Sequence, residues 1–203
     1  MEKLTKGVQD FKVNHFSTYR EIFEQLSVGG QHPRILFITC SDSRITPSLI
    51  TQTQPGELFI IRNAGNIIPP YGTTNCGEGA TVEYAVQALE IKHIIVCGHT
   101  HCGAIKGLLH LNSLPQDMPL LYDWLKYAQP TNLRLQQRYQ EYEGEDLLNA
   151  AIEENVLTQI ENLQTYPAIQ AKLDSGTLNI HAWVYKIRSG EVLAYTGDHW
   201  EVL

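Results

Sequence analysis

The sequence predicts an α/β fold: a mostly parallel central β-sheet flanked by helices, with an N-terminal helical arm and a C-terminal antiparallel edge hairpin. Three observations predict it. Short, nearly continuous apolar runs rich in branched and aromatic residues recur at 34–39, 58–61 and 93–97, which is how strands buried on both faces read. A helical pattern separates the second run from the third, and strands alternating with helices imply a parallel sheet. The later half carries helical periodicity and then closes on two strand-like runs around a turn signal.

Taken in order, residues 2–27 place Val8, Phe11, Phe16, Tyr19, Phe23 and Leu26 at helical spacing and read as two helical pieces. Gly29-Gly30 and Pro33 end that pattern. Arg34–Thr39 is the first strand, Leu58–Ile61 the second, entered through Pro55-Gly56, and His93–Cys97 the third, ended by Gly98. Between the last two, Gly79–Glu90 sets Val82, Ala85, Val86 and Leu89 on one helix face. Leu120–Ala128 and Asp146–Gln164 are predicted helices, and Glu145-Asp146 suits a helix N-terminus. Leu178–Ile187 and Val192–Tyr195 flank Arg188-Ser-Gly-Glu191 as a hairpin, placed most easily at a sheet edge.

A chain of 203 residues suffices for one well-buried core, and no linker divides it. The expected organisation is a single domain over 1–203, with a helical arm (1–30), a core bearing the chemistry (31–110) and a helical region with the final strands (111–203). A net charge of −7 argues against a nucleic-acid surface. No apolar stretch approaches the length of a membrane span, and the opening MEKLTKGVQDF lacks the apolar core of a signal peptide, so the expected compartment is the cytoplasm. There the four cysteines, Cys40, Cys76, Cys97 and Cys102, are core residues, metal ligands or reactive groups rather than disulfides.

Two segments carry chemistry. Cys40-Ser-Asp-Ser-Arg44 and Cys97-Gly-His-Thr-His-Cys-Gly103 each begin at the end of a buried strand. Ligands of open parallel sheets bind beyond the carboxyl ends of strands, so the two segments should emerge side by side. Cys40, His99 and Cys102 then supply two thiolates and an imidazole, a zinc ligand set with one position left open, which is the catalytic pattern. Asp42 has two readings: a fourth, oxygen ligand, or a neighbour of the site paired with Arg44. Cys97 is read as a core residue inside its strand, and Cys76 as one too. His101 is read as a neighbour of the site, a proton carrier or a bystander. His93 belongs at a strand entrance, and His15, His32, His110, His181 and His199 on the surface or in loops.

Cys-Ser-Asp-Ser-Arg followed by Cys-Gly-His-Thr-x-Cys-Gly closely resembles the β-carbonic anhydrases, as do residues 55–66 (PGELFIIRNAGN) and Glu83-Tyr84-Ala85. The resemblance is strongest over residues 30–110 and reaches His181-Ala-Trp-Val-Tyr185 more loosely. Ile67–Tyr71 and Leu163–Ala168 are similar to cyanobacterial, carboxysomal-type members. The resemblance implies reversible hydration of CO2 to bicarbonate and a proton by zinc-bound hydroxide, with Zn2+ on Cys40, His99 and Cys102. Asp42 and Arg44 would be the catalytic dyad, with Asp42 joining the metal only in a closed state. Gln31, Phe59, Tyr84 and Gly103 would bind substrate, Phe59 and Tyr84 from a neighbouring subunit. A homodimer, a dimer of dimers or a larger assembly is implied, in the cytoplasm or inside a carboxysome, with a carboxysome scaffold protein as a further partner.

One departure matters. Bacterial members with a non-catalytic bicarbonate site carry Trp three residues before the first zinc Cys; here Phe37 stands there, although Arg62 and Tyr84 are present. The plant-type pocket is therefore favoured. Two thiolates leave zinc a weaker Lewis acid than imidazoles do, so a helper such as Asp42 is expected. Two rival functions remain at this stage: a CS2 or COS hydrolase on the same fold, and a zinc-stabilised scaffold with weak or no activity. The intact Asp42 and Arg44 speak against the scaffold.

Overall fold

The computed structural model describes residues 1–114 and 118–203. Among these residues six strands form one sheet: β1 (Ile35–Cys40), β2 (Leu58–Asn63), β3 (His93–His99), β4 (Asn179–Tyr185), β5 (Val192–Tyr195) and β6 (Trp200–Val202), in the order β2-β1-β3-β4-β5-β6. The pairs among β1 to β4 are parallel and the last two pairs antiparallel. The predicted class holds, with two adjustments. The third strand continues through Gly98 to His99, and the terminal hairpin gains β6 as a third strand. A three-residue strand ending Glu201-Val202 offers no alternating pattern long enough to read in advance.

Two helices make the arm, α1 (Glu2–Asp10) and α2 (Phe16–Gly29), joined by one wide π-type turn at Phe11–His15. No arm residue is buried, and Leu4, Val8 and Val13 lie open. After β1 comes the short α3 (Pro47–Thr51). After β2, the predicted helix forms as α4 (Gly77–Glu83), continued by another wide turn over Tyr84–Ala88, with Val82, Ala85 and Val86 buried as their spacing requires. The region after β3 holds α5 (Gly103–Leu109), α6 (Pro119–Leu125), α7 (Gln129–Arg138), α8 (Gly144–Gln164) and α9 (Pro167–Asp174).

One face of the sheet carries Leu36, Ile38, Ile94, Val96, Ala182 and Val184. They form the main core with Ile105, Ile152, Val156 and Leu163. Here α8 crosses β3 and β4, with Glu145 and Asp146 in its first turn, where the positive end of the helix dipole favours them. On the opposite face Phe37, Ile95 and Cys97 are fully or nearly fully buried beneath Ile35, Leu58, Trp183 and Tyr185. Residues buried on both faces explain why these strands read as continuous apolar runs.

Two polar calls need correction. His181 is neither surface nor loop: it stands half-buried in β4, with Nε2 3.1 Å from Nδ1 of His93, which does open β3 as predicted. Strands β3 and β4 are parallel neighbours, which set the two imidazoles side by side although 88 residues separate them. Cys76 is only half-buried. It stands just before α4, and its Sγ accepts the Gly79 N–H at 3.4 Å.

Candidate metal centre

The register brings the two segments together. Cys40 ends β1 opposite Asn63 of β2, and Thr39 faces Cys97 of β3, so the carboxyl ends of three adjacent strands open onto one place. Cys102 follows three residues beyond the end of β3, immediately before α5. The reversal needed to reach it is made at His101, whose φ of 57° puts a non-glycine residue in the left-handed region.

Cys40, His99 and Cys102 are all buried, and their ligand atoms lie within 4.8 Å of one another. The two sulfurs are 3.9 Å apart. A tetrahedral zinc with Zn–S bonds of about 2.3 Å sets its sulfurs about 3.8 Å apart, so the pair is already at ligand spacing. His99 Nδ1 lies 3.0 Å from the Thr100 carbonyl, which can only accept; the proton therefore sits on Nδ1 and leaves Nε2 with a free lone pair. Among the described residues that Nε2 is buried without a hydrogen-bond partner. A buried, unpartnered nitrogen facing two thiols costs free energy unless something coordinates it.

Charge points the same way. Cys102, its sulfur 3.9 Å away, foremost holds the Cys40 thiol below its ordinary value despite burial, helped by the Gly65 and Asp42 amides. The second proton is harder to lose: the Cys40 thiolate, and then burial, push Cys102 up, although the Ala104 and Ile105 amides at the start of α5 oppose this. A pair that takes one negative charge readily and a second only against repulsion suits a dication. Gly65 can bring its amide this close because it has φ 84° and no side chain; a Cβ there would stand 3.2 Å from Ala104 Cβ.

Asp42 and Arg44 form the expected pair. Arg44 Nε donates to Oδ1 at 2.9 Å, Nη2 to Oδ2 at 2.7 Å, and the Arg44 backbone N–H to Oδ1 at 3.0 Å. The Arg44 side chain foremost holds the Asp42 carboxyl well below the usual carboxylate range. Asp42 Oδ2 lies 3.9 Å from His99 Nε2, so the carboxylate stands at the rim of the ligand set, bound to Arg44 rather than over the centre.

The other named residues lie elsewhere in the chain. Phe59 is four residues before Asn63 on β2, about 13 Å from the strand end at 3.3 Å per residue. Its ring packs 5.9 Å from that of half-exposed Tyr84. Gln31 is exposed and precedes β1, at the amino end of the sheet. A single chain therefore does not gather Gln31, Phe59 and Tyr84 around Cys40. Gly103 does adjoin the centre, as the first residue of α5. The His101 ring is half-exposed near Glu145, and its carbonyl accepts Arg44 Nη2 at 3.2 Å. Cys97 is core, as read: burial pushes its thiol up to about 12.

Some residues that shape the site escaped the sequence reading. Asn155, Gln159 and Asn162 line one face of α8 and hold the 65–68 segment: Asn155 Nδ2 donates to Gly65 O, Gln159 Oε1 accepts Ile68 N–H, and Asn162 Nδ2 donates to Ile68 O. In the chain these amides look like an ordinary polar helix face. Trp124 Nε1 adds a bond to Ala64 O at 2.8 Å.

The sequence profile of carbonic anhydrases matches residues 35–192, the segment that contains every residue of this centre. The chain belongs to the β-carbonic anhydrase family. A carbonic anhydrase of Synechocystis is 60% identical over 97% of this chain and 72% of its own length. The solved β-carbonic anhydrase CcaA is 59% identical and superposes with a TM-score of 0.96, covering all of this chain and 91% of that one. A tetrameric β-carbonic anhydrase of Sordaria macrospora is 30% identical with a TM-score of 0.77, over 96% of this chain and 93% of that one. This β-carbonic anhydrase thus has the cyanobacterial kinship its Ile67–Tyr71 and Leu163–Ala168 segments suggested.

Proposed function

We propose that this β-carbonic anhydrase catalyses the reversible hydration of CO2 to bicarbonate and a proton, with zinc held by Cys40, His99 and Cys102. One observation carries the reading: three buried ligand atoms within 4.8 Å, one of them an imidazole nitrogen with no other partner. When bound, zinc supplies an acidified water and so a hydroxide nucleophile near neutral pH.

The chain's own groups do the rest. Arg44 keeps Asp42 ionised and turned aside. Asp42, held as an anion beside the ligand set, would accept a hydrogen bond at the position left open there and so orient the attacking group toward CO2. Gln31, Phe59 and Tyr84 form a dry pocket for the apolar substrate, Gln31 donates to the oxygen that gains charge, and Gly103 leaves room beside Cys102. Two subunits are needed for this pocket. The separation of Phe59 and Tyr84 from Cys40 within one chain supports that, as does an arm whose apolar side chains find no core of their own. A homodimer, or a dimer of dimers, follows. No helix of the described residues is long and apolar enough to cross a membrane. For location we propose the cytoplasm and, from the likeness to cyanobacterial relatives, the carboxysome, with a scaffold protein of that body as partner.

Stopped-flow CO2 hydration from about pH 6.5 to 9, before and after zinc chelation, is the test. Fast turnover lost on chelation and restored by zinc is expected. No hydration with zinc bound, or a much faster reaction with CS2 or COS, would overturn the assignment.

A further inference from the structure

Arg62 lies on β2, one residue before the end of the strand, and faces Thr39 of β1 across the ladder. Among the described residues no carboxylate stands within ion-pair distance of it. Its guanidinium goes instead to two backbone carbonyls of the neighbouring segment: Nε donates to Cys40 O at 3.2 Å and Nη2 to Asp42 O at 2.8 Å. Carbonyls two residues apart in extended chain point the same way, and a planar guanidinium offers donors in a fixed fork that can take both. One of these residues is a metal ligand and the other carries the carboxylate of the dyad. A second arginine ties the same region, since Arg44 holds both Asp42 oxygens and the His101 carbonyl.

Asp42 has little distance to travel if this restraint goes. Its Oδ2 is 3.9 Å from His99 Nε2, so a modest rotation about the Ser41–Asp42 backbone would bring it among the ligands. Arg44 opposes this through the side chain. Arg62 opposes it through the main chain, by fixing the two carbonyls that bracket Ser41.

We infer that Arg62 is a positioning residue for the reaction, clamping the Cys40–Asp42 main chain so that Asp42 stays on Arg44 and off the metal. The inference rests on the CO2-hydration reading. It differs from an ordinary ion-pair or purely structural role in what it predicts: the carboxylate, not the fold, should move when Arg62 is replaced.

The test uses zinc-loaded wild type, Arg62→Lys, Arg62→Gln, Arg44→Ala and the double variant Arg62→Gln with Arg44→Ala. The readouts are kcat and KM for CO2, zinc content, Tm, and the visible spectrum of the cobalt-substituted proteins. Outer groups that orient ligands typically contribute about ten- to hundredfold. Arg62→Gln should lower kcat by that amount with KM changed less than about twofold and zinc content and Tm held. Its cobalt spectrum should move toward that of Arg44→Ala, because in both the carboxylate joins the metal. Lysine, able to reach one carbonyl, should recover part of the loss. Adding Arg62→Gln to Arg44→Ala should cost little more, since both act on the same carboxylate. Wild-type kcat and spectrum in Arg62→Gln would overturn the inference. So would a loss that follows falling zinc content and Tm with an unchanged spectrum, or additive losses in the double variant. Should the glutamine variant not fold, wild-type kcat and spectrum in Arg62→Lys would overturn it equally. If the wild type itself does not hydrate CO2, the functional reading fails, while the cobalt spectra still report whether Arg62 places Asp42.

Discussion

Replacing Gly98 by alanine tests how tightly the metal centre is set against the core. Gly98 lies between Cys97 and the candidate ligand His99 in β3, beneath α8. A Cβ there would stand 2.8 Å from Val156 Cγ2 and 3.1 Å from Ile152 Cγ2. Carbon atoms settle at about 3.5–4.0 Å, so the nearer contact is short by about 0.7 Å or more. Neither neighbour can turn away: both are β-branched residues of a helix, where one χ1 well dominates, and both are fully or nearly fully buried. The helix must lift from the strand, and overpacking of this kind costs about 1–3 kcal/mol. At about 2.1 cal/mol/K per residue, the unfolding entropy of 203 residues is about 0.43 kcal/mol/K, so Tm should fall by about 2–7 °C. Thermal melts of the zinc-loaded protein measure this. Val156→Ala removes the nearest atom, so the double variant should lose less than the two single changes added together. An unchanged Tm in Gly98→Ala, or strict additivity with Val156→Ala, would refute the contact as the cause.

Three further outcomes are expected. Arg44→Ala should lower CO2 hydration by about a hundredfold or more while zinc stays bound, because it frees Asp42 without touching a ligand; rapid hydration in that variant would sink the dyad. Alkylation of the native zinc-loaded protein at pH 8 should label half-buried Cys76 and spare Cys97, whose thiol is held at about 12 by burial, until the protein unfolds; early labelling of Cys97 in peptide mass spectra would contradict its place in the core. Burial, and then His93, hold His181 below its ordinary value. The unfolded chain therefore takes up this proton first, and the stability involved is intact above about pH 6.5 and lost as pH falls from there through the folded value. His181→Asn should show a smaller drop in Tm between pH 7.5 and 5.5 than wild type, and an equal drop would refute the assignment.

Much of this was legible in the chain. Runs such as Ile35–Thr39 and Ile94–Cys97 declare strands buried on both faces because no polar residue interrupts them except Thr39, whose hydroxyl is satisfied by the Cys97 carbonyl. The candidate ligand set was legible too, since cysteines beside polar loop residues at strand ends fit a plain core poorly, and parallel strands must open on one edge. Less legible were residues whose meaning depends on a distant partner. His181 resembles any surface histidine until β4 is laid beside β3, and Asn155, Gln159 and Asn162 look like an ordinary polar helix face until α8 is seen to cross the 65–68 segment.

The sequence by itself determined the strand and helix pattern, the candidate ligands Cys40, His99 and Cys102, and the Asp42–Arg44 pair, because these are marked by periodicity or by residue types placed at strand ends. Only the tertiary structure decided the His99 Nε2 left unpartnered among the described residues, the 3.9 Å approach of the Cys40 and Cys102 sulfurs, the two carbonyls taken by Arg62, and the distance of Phe59 from the centre. These depend on strand register and burial, which arise from contacts between residues tens of positions apart and leave no local mark in the chain.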